Sequence, residues 1–127
     1  MAGNSAIIDD FIAAWGAKDL ERIMSFFAPD AVYTNVPMDP PNRGTEAIRA
    51  MIGGFLGMAQ DVEFVVHQQA ENPATGIVMN ERTDRFKLAN GRWAALRVMG
   101  VFELRNGKIL AWRDYFDMAE AQRELGF

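Results

Sequence analysis

The sequence predicts an α+β domain whose N-terminal helices pack over the concave face of a strongly curved, mixed β-sheet and leave a cone-shaped pocket. Three observations carry this. Apolar residues recur at helical spacing in three early segments. From Asp61 onward, alternation at period two takes over. Asn90-Gly91 and Asn106-Gly107 are two-residue hairpin signals, which make the last three strands an antiparallel meander. A bent sheet with helices across it is open at one end, and such a cone holds a small ligand.

Each element has its own signal. Ile7, Ile8, Phe11, Ile12 and Trp15 trace a helical stripe from about Ser5 to Ala17. Asp19 has the chemistry of an N-cap for a second helix, Leu20 to Phe27, with Leu20, Ile23, Met24 and Phe27 inward and Pro29 as its stop. Ala31 to Val36 reads as a short strand. Pro37 to Gly44, with Pro40 and Pro41, reads as loop. Thr45 then caps a third helix that turns Ile48, Met51, Ile52, Phe55 and Leu56 inward. Gly53 and Gly54 weaken its middle by roughly 1 kcal/mol each relative to alanine. Strands follow over Val62–Gln69, Ile77–Leu88, Trp93–Leu104 and Lys108–Met118, and a short helix from Met118 to Leu125 closes the chain.

Bulk composition narrows the chemistry. The 127 residues suit one domain, residues 1–127, without repeats or linkers. A net charge of −4 and the lack of any basic run argue against nucleic acid or an anionic membrane as partner. No cysteine means no disulfide, thiolate metal site or cysteine nucleophile. The single histidine, His67, removes most metal and Ser–His schemes. Asp9 and Asp10 near the start are unlike a signal peptide, and no apolar run approaches a membrane span. A cytoplasmic protein is the expectation.

Two strands break the oily pattern on their apolar faces. Val78, Asn80, Arg82, Asp84, Phe86 and Leu88 share one face of the first; Leu110, Trp112, Asp114, Phe116 and Met118 share one face of the second. Each strand thus aims a carboxylate into an apolar hollow, and Arg82 enters beside Asp84. An unpaired buried charge costs several kcal/mol, roughly, so it persists only when paired or useful. In the first strand Tyr33 and Asn35 share a face, where a phenol and an amide two residues apart can hold one water. Each of these features alone also fits a structural role, an ion pair or a capped strand end. Arg113 and Asp117 fall on the opposite face and are assigned to packing or an interface.

Together the motifs carry a resemblance. Tyr33-Thr34-Asn35-Val36-Pro37, Glu81-Arg82-Thr83-Asp84 and Trp112-Arg113-Asp114-Tyr115-Phe116-Asp117 resemble, in matching order, the Tyr-x-Asn-x-Pro, Glu-Arg-x-Asp and Trp-Arg-Asp-Tyr-Phe-Asp runs of the limonene-1,2-epoxide hydrolases. That family lies within the ketosteroid-isomerase-like, or nuclear-transport-factor-two-like, cone fold. The resemblance runs from about Phe26 to Met118. It implies that ionised Asp114 is general base on a water held by Tyr33 and Asn35, that protonated Asp84 is general acid toward the epoxide oxygen, and that Arg82 orients both. It implies no metal, cofactor or covalent intermediate, a vicinal diol product, and a homodimer.

Pocket walls come from the methionines and aromatics. Met24, Phe27, Phe55, Phe86, Leu96, Val98 and Phe116 are the expected substrate contacts, for a bulky, apolar, cyclic or terpene-like epoxide. The opposite sheet face, with Arg97, Met99, Val101, Glu103, Ala111, Arg113 and Tyr115, suits a second subunit. Two alternatives stay open: an isomerase or cyclase of the same fold, which would move a proton beside a ketone, and a non-catalytic module that binds a hydrophobic ligand.

Overall fold

The computed structural model describes residues 3–38 and 40–126. Asp39, inside the loop expected from Pro37 to Gly44, lies outside the described residues. In chain order the elements are α1 (Asn4–Gly16), α2 (Leu20–Ser25), β1 (Phe27–Asn35), β2 (Asn42–Arg43), α3 (Gly44–Met58), β3 (Asp61–Asn72), β4 (Ile77–Lys87), β5 (Trp93–Arg105), β6 (Lys108–Tyr115) and α4 (Met118–Leu125). The six strands form one sheet in the order β2-β1-β6-β5-β4-β3. Strands β3 to β6 run as an antiparallel meander, and β1 joins β6 in parallel, which makes the sheet mixed.

Helices α1 and α3 lie against this sheet and bury its apolar rows. From α1, Ile8, Phe11, Ala14 and Trp15 go inward; from α3, Ile48, Ile52 and Leu56. The central row of the core is aromatic. Tyr33, Trp112, Phe102 and Val78 are cross-strand partners in turn, with ring centroids 4.2 Å apart for Tyr33–Trp112 and 5.4 Å for Phe102–Trp112. Phe11 meets Trp112 edge-on at 5.2 Å. Among the described residues, no helix is long and apolar enough to cross a membrane.

Several boundaries differ from the sequence expectation. The second helix ends at Ser25, because Phe27 already pairs with Ile109 as the first residue of β1. Pro29 therefore sits inside a strand, where it has no N–H to donate, and the β1–β6 register shifts between Phe27 and Val32. Asn42 and Arg43 leave the expected loop to pair with Tyr33 and Val32. Thr45 lies inside α3, whose N-cap position is Arg43.

Two bulges matter more, because a one-residue slip exchanges the faces of a strand. Between Val66↔Arg82 and Gln68↔Glu81, His67 is left over; it is exposed, bonds Thr83 Oγ1 at 2.8 Å, and the slip turns Gln69 to face Asn80. Between Glu103↔Ala111 and Leu104↔Ile109, Leu110 is left over. Ile109, not Leu110, is therefore the fully buried residue at the start of β6, while Trp112 and Asp114 keep the inward face. The last strand stops at Tyr115, short of the expected Met118.

That early stop shapes the mouth of the cone. Tyr115 pairs with Met99, so the residues of β5 before Met99 have no β6 partner. Helix α4 supplies one instead. Asp117 caps it by accepting from the Ala119 and Glu120 amides, Glu120 accepts from Arg97 N at 2.9 Å, and Glu124 accepts from Ala95 N at 2.9 Å. Ala121 and Leu125 are thereby held against Leu96, Val98 and Phe116.

Candidate active site

The site grows out of one row of the sheet. Asn35, Asp114, Gly100, Asn80 and Gln69 stand side by side on β1, β6, β5, β4 and β3 as successive cross-strand partners. All face the core side, next to the aromatic row that ends in Trp112 and Tyr33. Arg82 and Asp84 follow Asn80 at the period of β4, so the same face presents an amide, a guanidinium and a carboxylate in sequence.

Arg82 is the hub, with its side chain wholly buried. Its Nε donates to Asp84 Oδ1 at 2.9 Å, and its Nη2 donates to Asp84 Oδ2 at 3.0 Å and to Asp114 Oδ2 at 2.8 Å. Its Nη1 donates to Asn80 Oδ1 at 2.8 Å. Asn80 Nδ2 in turn donates to Gln69 Oε1 at 3.1 Å, and Gln69 Nε2 donates to Ser5 Oγ at 2.7 Å and Asp9 Oδ1 at 3.0 Å on α1. A chain of amides thus ties the guanidinium to the first helix. The Phe64 and Trp112 rings flank the guanidinium, with centroids 5.4 and 5.9 Å from its Cζ.

The two carboxylates are held differently. Asp84 receives both its bonds from Arg82. Asp114 takes one from Arg82 and, at Oδ1, one of 2.7 Å from Trp112 Nε1. Burial pushes Asp114 up to about 6, against the pull of the Arg82 charge and with a further push from Asp84. Arg82 loses stability as a cation through burial, yet the two carboxylates outweigh that and hold it charged. Burial first, and then the Asp114 charge, keep the Tyr33 phenol protonated well above its ordinary range. Tyr33 Oη therefore donates, to Asn35 Oδ1 at 3.2 Å.

A small cavity opens onto these groups. Tyr33, Asn35, Asp84 and Asp114 line it together with Phe55, Phe86, Leu96, Val98 and Phe116. About 20 Å³ is open to the centre of a water-sized sphere, room for roughly one water, within about 390 Å³ of empty space that runs out to solvent. Two donors of residues that line it have no partner among the described residues: Asn35 Nδ2 and Trp15 Nε1. Buried N–H groups are rarely left so.

Five of the seven expected wall residues thus lie on the cavity, and two do not. Met24 and Phe27 belong to the core beneath α2 and β1, where Phe27 packs edge-on to Phe11 at 5.6 Å. The end of α2 at Ser25 turns both away from the polar set. Trp15, Phe64, Trp112 and Leu125 line the cavity, although their sequence pattern does not mark them as walls. Trp15 and Phe64 read as ordinary core from their periodicity. Leu125 reaches the mouth only because Glu120 and Glu124 pin α4 to β5.

Comparison with known proteins identifies relatives of this chain. The model of the SnoaL-like domain matches residues 8–112. Epoxide hydrolase EphG of Mycobacterium tuberculosis is 30% identical over 120 residues, covering 93% of this chain and 76% of that protein. The structure of an LEH-like epoxide hydrolase from M. tuberculosis superposes with a TM-score of 0.76 at 27% identity, covering 94% of this chain and 82% of that one. An NTF2-like protein of unknown function from Burkholderia pseudomallei superposes with a TM-score of 0.84 at 22% identity over the whole of both chains, which speaks for the fold. On this fold and these matches, the chain belongs to the SnoaL-like domain family, with the NTF2-like fold, and is homologous to epoxide hydrolases.

Proposed function

We propose that this protein hydrolyses an apolar epoxide, cyclic or terpene-like, to a vicinal diol in one step by direct attack of water. The observation that carries the reading is Arg82 bonded to both Asp84 and Asp114 beside a one-water void into which Asn35 brings an unpartnered donor. With both carboxylates ionised the buried trio carries one net negative charge; with one shared proton it is neutral. A buried cluster favours the neutral count, which leaves one acid and one base in the same hollow.

The water is defined by what surrounds it. Asn35 Nδ2 donates to it. Tyr33 Oη, whose own proton is committed to Asn35 Oδ1, accepts one of its hydrogens, and Asp114 accepts the other. One lone pair is left for the ring carbon. As the C–O bond forms, the water's proton passes to Asp114. The ring C–O bond breaks, and Asp84 delivers its proton to the leaving oxygen. Each such transfer contributes on the order of 10²–10⁴-fold. The cycle closes when the proton returns from Asp114 to Asp84. A base near 6 suits neutral pH, since it is ionised yet still basic enough to accept. Arg82 stays charged throughout and keeps the carboxylates in place.

The same reading includes a homodimer. Met79, Met99 and Tyr115 are exposed on the sheet face away from the cavity, and Met99 pairs with Tyr115 in register. An apolar strip of that kind, bordered by the Arg113–Glu103 ion pair, fits a second copy of the chain.

The test is an epoxide panel. Limonene oxide, cyclohexene oxide and a styrene oxide are incubated with the protein and with Asp114→Asn, and diol is measured alongside the circular dichroism of both proteins. Diol from at least one epoxide, lost in a folded Asp114→Asn, supports the hydrolase. No diol from any of them with a folded wild type removes it in favour of an isomerase or a binding module.

A further inference from the structure

Trp15 holds a donor that the reaction above does not use. Trp15 is 1% exposed, it lines the cavity, and its Nε1–H finds no acceptor among the described residues. The indole stacks on Phe64 at 4.7 Å and meets Trp112 edge-on at 5.8 Å. Those are the two rings that flank the Arg82 guanidinium, so Trp15 stands by the acid–base cluster on the helical wall of the cone. Stacking and edge contact need only a ring. The N–H adds a desolvation cost of roughly 1–3 kcal/mol unless something bonds it.

Donors and acceptors around the cavity leave one place to fill. In the hydrolase reading, on which this inference rests, the Asn35 amide serves the water and Asp84 serves the epoxide oxygen. A hydrocarbon epoxide has one oxygen, already taken, and would leave Trp15 unpartnered. We propose that Trp15 is a specificity-determining residue and that the preferred substrate is an apolar cyclic epoxide carrying one further neutral acceptor oxygen, a carbonyl or an ether, bonded by Nε1–H. The acceptor is neutral because the Arg82 guanidinium is already taken up by Asp84 and Asp114, and an anion buried beside them would be left unpaired. A site built to bond a polar group discriminates more strongly than one that fits only shape.

Two measurements test this. In the first, kcat/KM is determined for cyclohexene oxide and for an epoxycyclohexanone, with wild type and Trp15→Phe. Loss of the larger ring lowers both values, and the expected result is that the loss on the keto epoxide exceeds that on the hydrocarbon by about tenfold, the size of one net hydrogen bond. Equal losses on both, or none on either, overturn the proposal. In the second, the indole N–H resonances of the wild-type protein, one for each of its three tryptophans, are assigned through the backbone and followed during titration. Cyclohexanone moves the Trp15 signal downfield and its isostere methylenecyclohexane does not; the same response to both, or to neither, overturns the proposal. This readout needs neither turnover nor a folded variant. A protein that hydrolyses no epoxide yet shows the ketone-specific shift would refute the hydrolase and leave the Trp15 site standing.

Discussion

Gly100 and Arg82 lie on neighbouring strands, and the guanidinium fills the space where a side chain on residue 100 would be. A Cβ there would collide with Arg82 Nη1 and stand 2.9 Å from Asp114 Oδ1 and 3.0 Å from Asn80 Oδ1. The glycine is the one gap in a row of polar side chains that crosses five strands. It is needed for space, not for backbone freedom.

Gly100→Ala therefore displaces the hub of the site. The backbone can host alanine, so overpacking of roughly 1–3 kcal/mol is the expected cost to stability, seen as a lower denaturant midpoint. Because the methyl group meets Arg82, Asp114 and Asn80 together, turnover falls by about 100-fold or more even where the protein remains folded. Near-normal turnover in this variant would mean that the guanidinium need not be where it is.

Arg82→Lys keeps the charge and loses the fork. An ammonium cannot reach Asp84, Asp114 and Asn80 at once in the geometry of a guanidinium. Two buried carboxylates are left short of partners, and the expected cost is about 3–5 kcal/mol. Urea unfolding at pH 7 measures it; a loss below about 1 kcal/mol would show that the cluster is more hydrated than its burial implies.

The pH profile follows from Asp114. Its carboxyl titrates near 6 in the folded chain against an ordinary 3.8. As a base it must be ionised, so kcat/KM falls about tenfold per unit below about pH 6, and it falls again at higher pH where the pair loses the proton that the acid must deliver. Stability has the opposite sign. A carboxyl raised on folding contributes stability that is full below its unfolded value, near 3.8, and lost as pH rises through about 6. Asp114→Asn removes this dependence, so its stability relative to wild type improves between about pH 4 and about pH 7. Parallel urea titrations of the two proteins at those pH values check the slope.

Asn35 and Tyr33 should separate in kinetics. Asn35→Leu removes the donor aimed at the void, and the water loses its orientation. Turnover is expected to drop by about 100-fold or more while KM changes little, since the substrate itself is not touched. Tyr33→Phe leaves Asn35 in place and removes only one acceptor of the water, so its loss is smaller. A larger effect at Tyr33 than at Asn35 would reverse the roles given to the two side chains.

Much of the site is legible in the sequence because strand periodicity sorts faces without any knowledge of the fold. Asp84, Arg82 and Asp114 stand out as charges on oily faces, and the two Asn-Gly turns place their strands in one meander. The rest depends on register and on contacts distant in sequence. Gln69 joins the polar row only through the bulge at His67, and Leu110 leaves the inward face through another. Met24 and Phe27 miss the cavity because β1 starts at Phe27, a choice made by its pairing with Ile109 across the sheet. Gly100 has no periodic signature at all; only the positions of Arg82, Asn80 and Asp114 give it a role. Trp15 and Leu125 read as core until the helices that carry them are docked.

The central claim, attack by a water held at Asp114, is tested most directly by a single turnover with enzyme in excess of epoxide in ¹⁸O-labelled water. The account predicts one ¹⁸O in the diol formed on that first turnover and none in the protein. Unlabelled diol would contradict it, because the oxygen would then have come from a carboxylate and the reaction would pass through an ester on the enzyme.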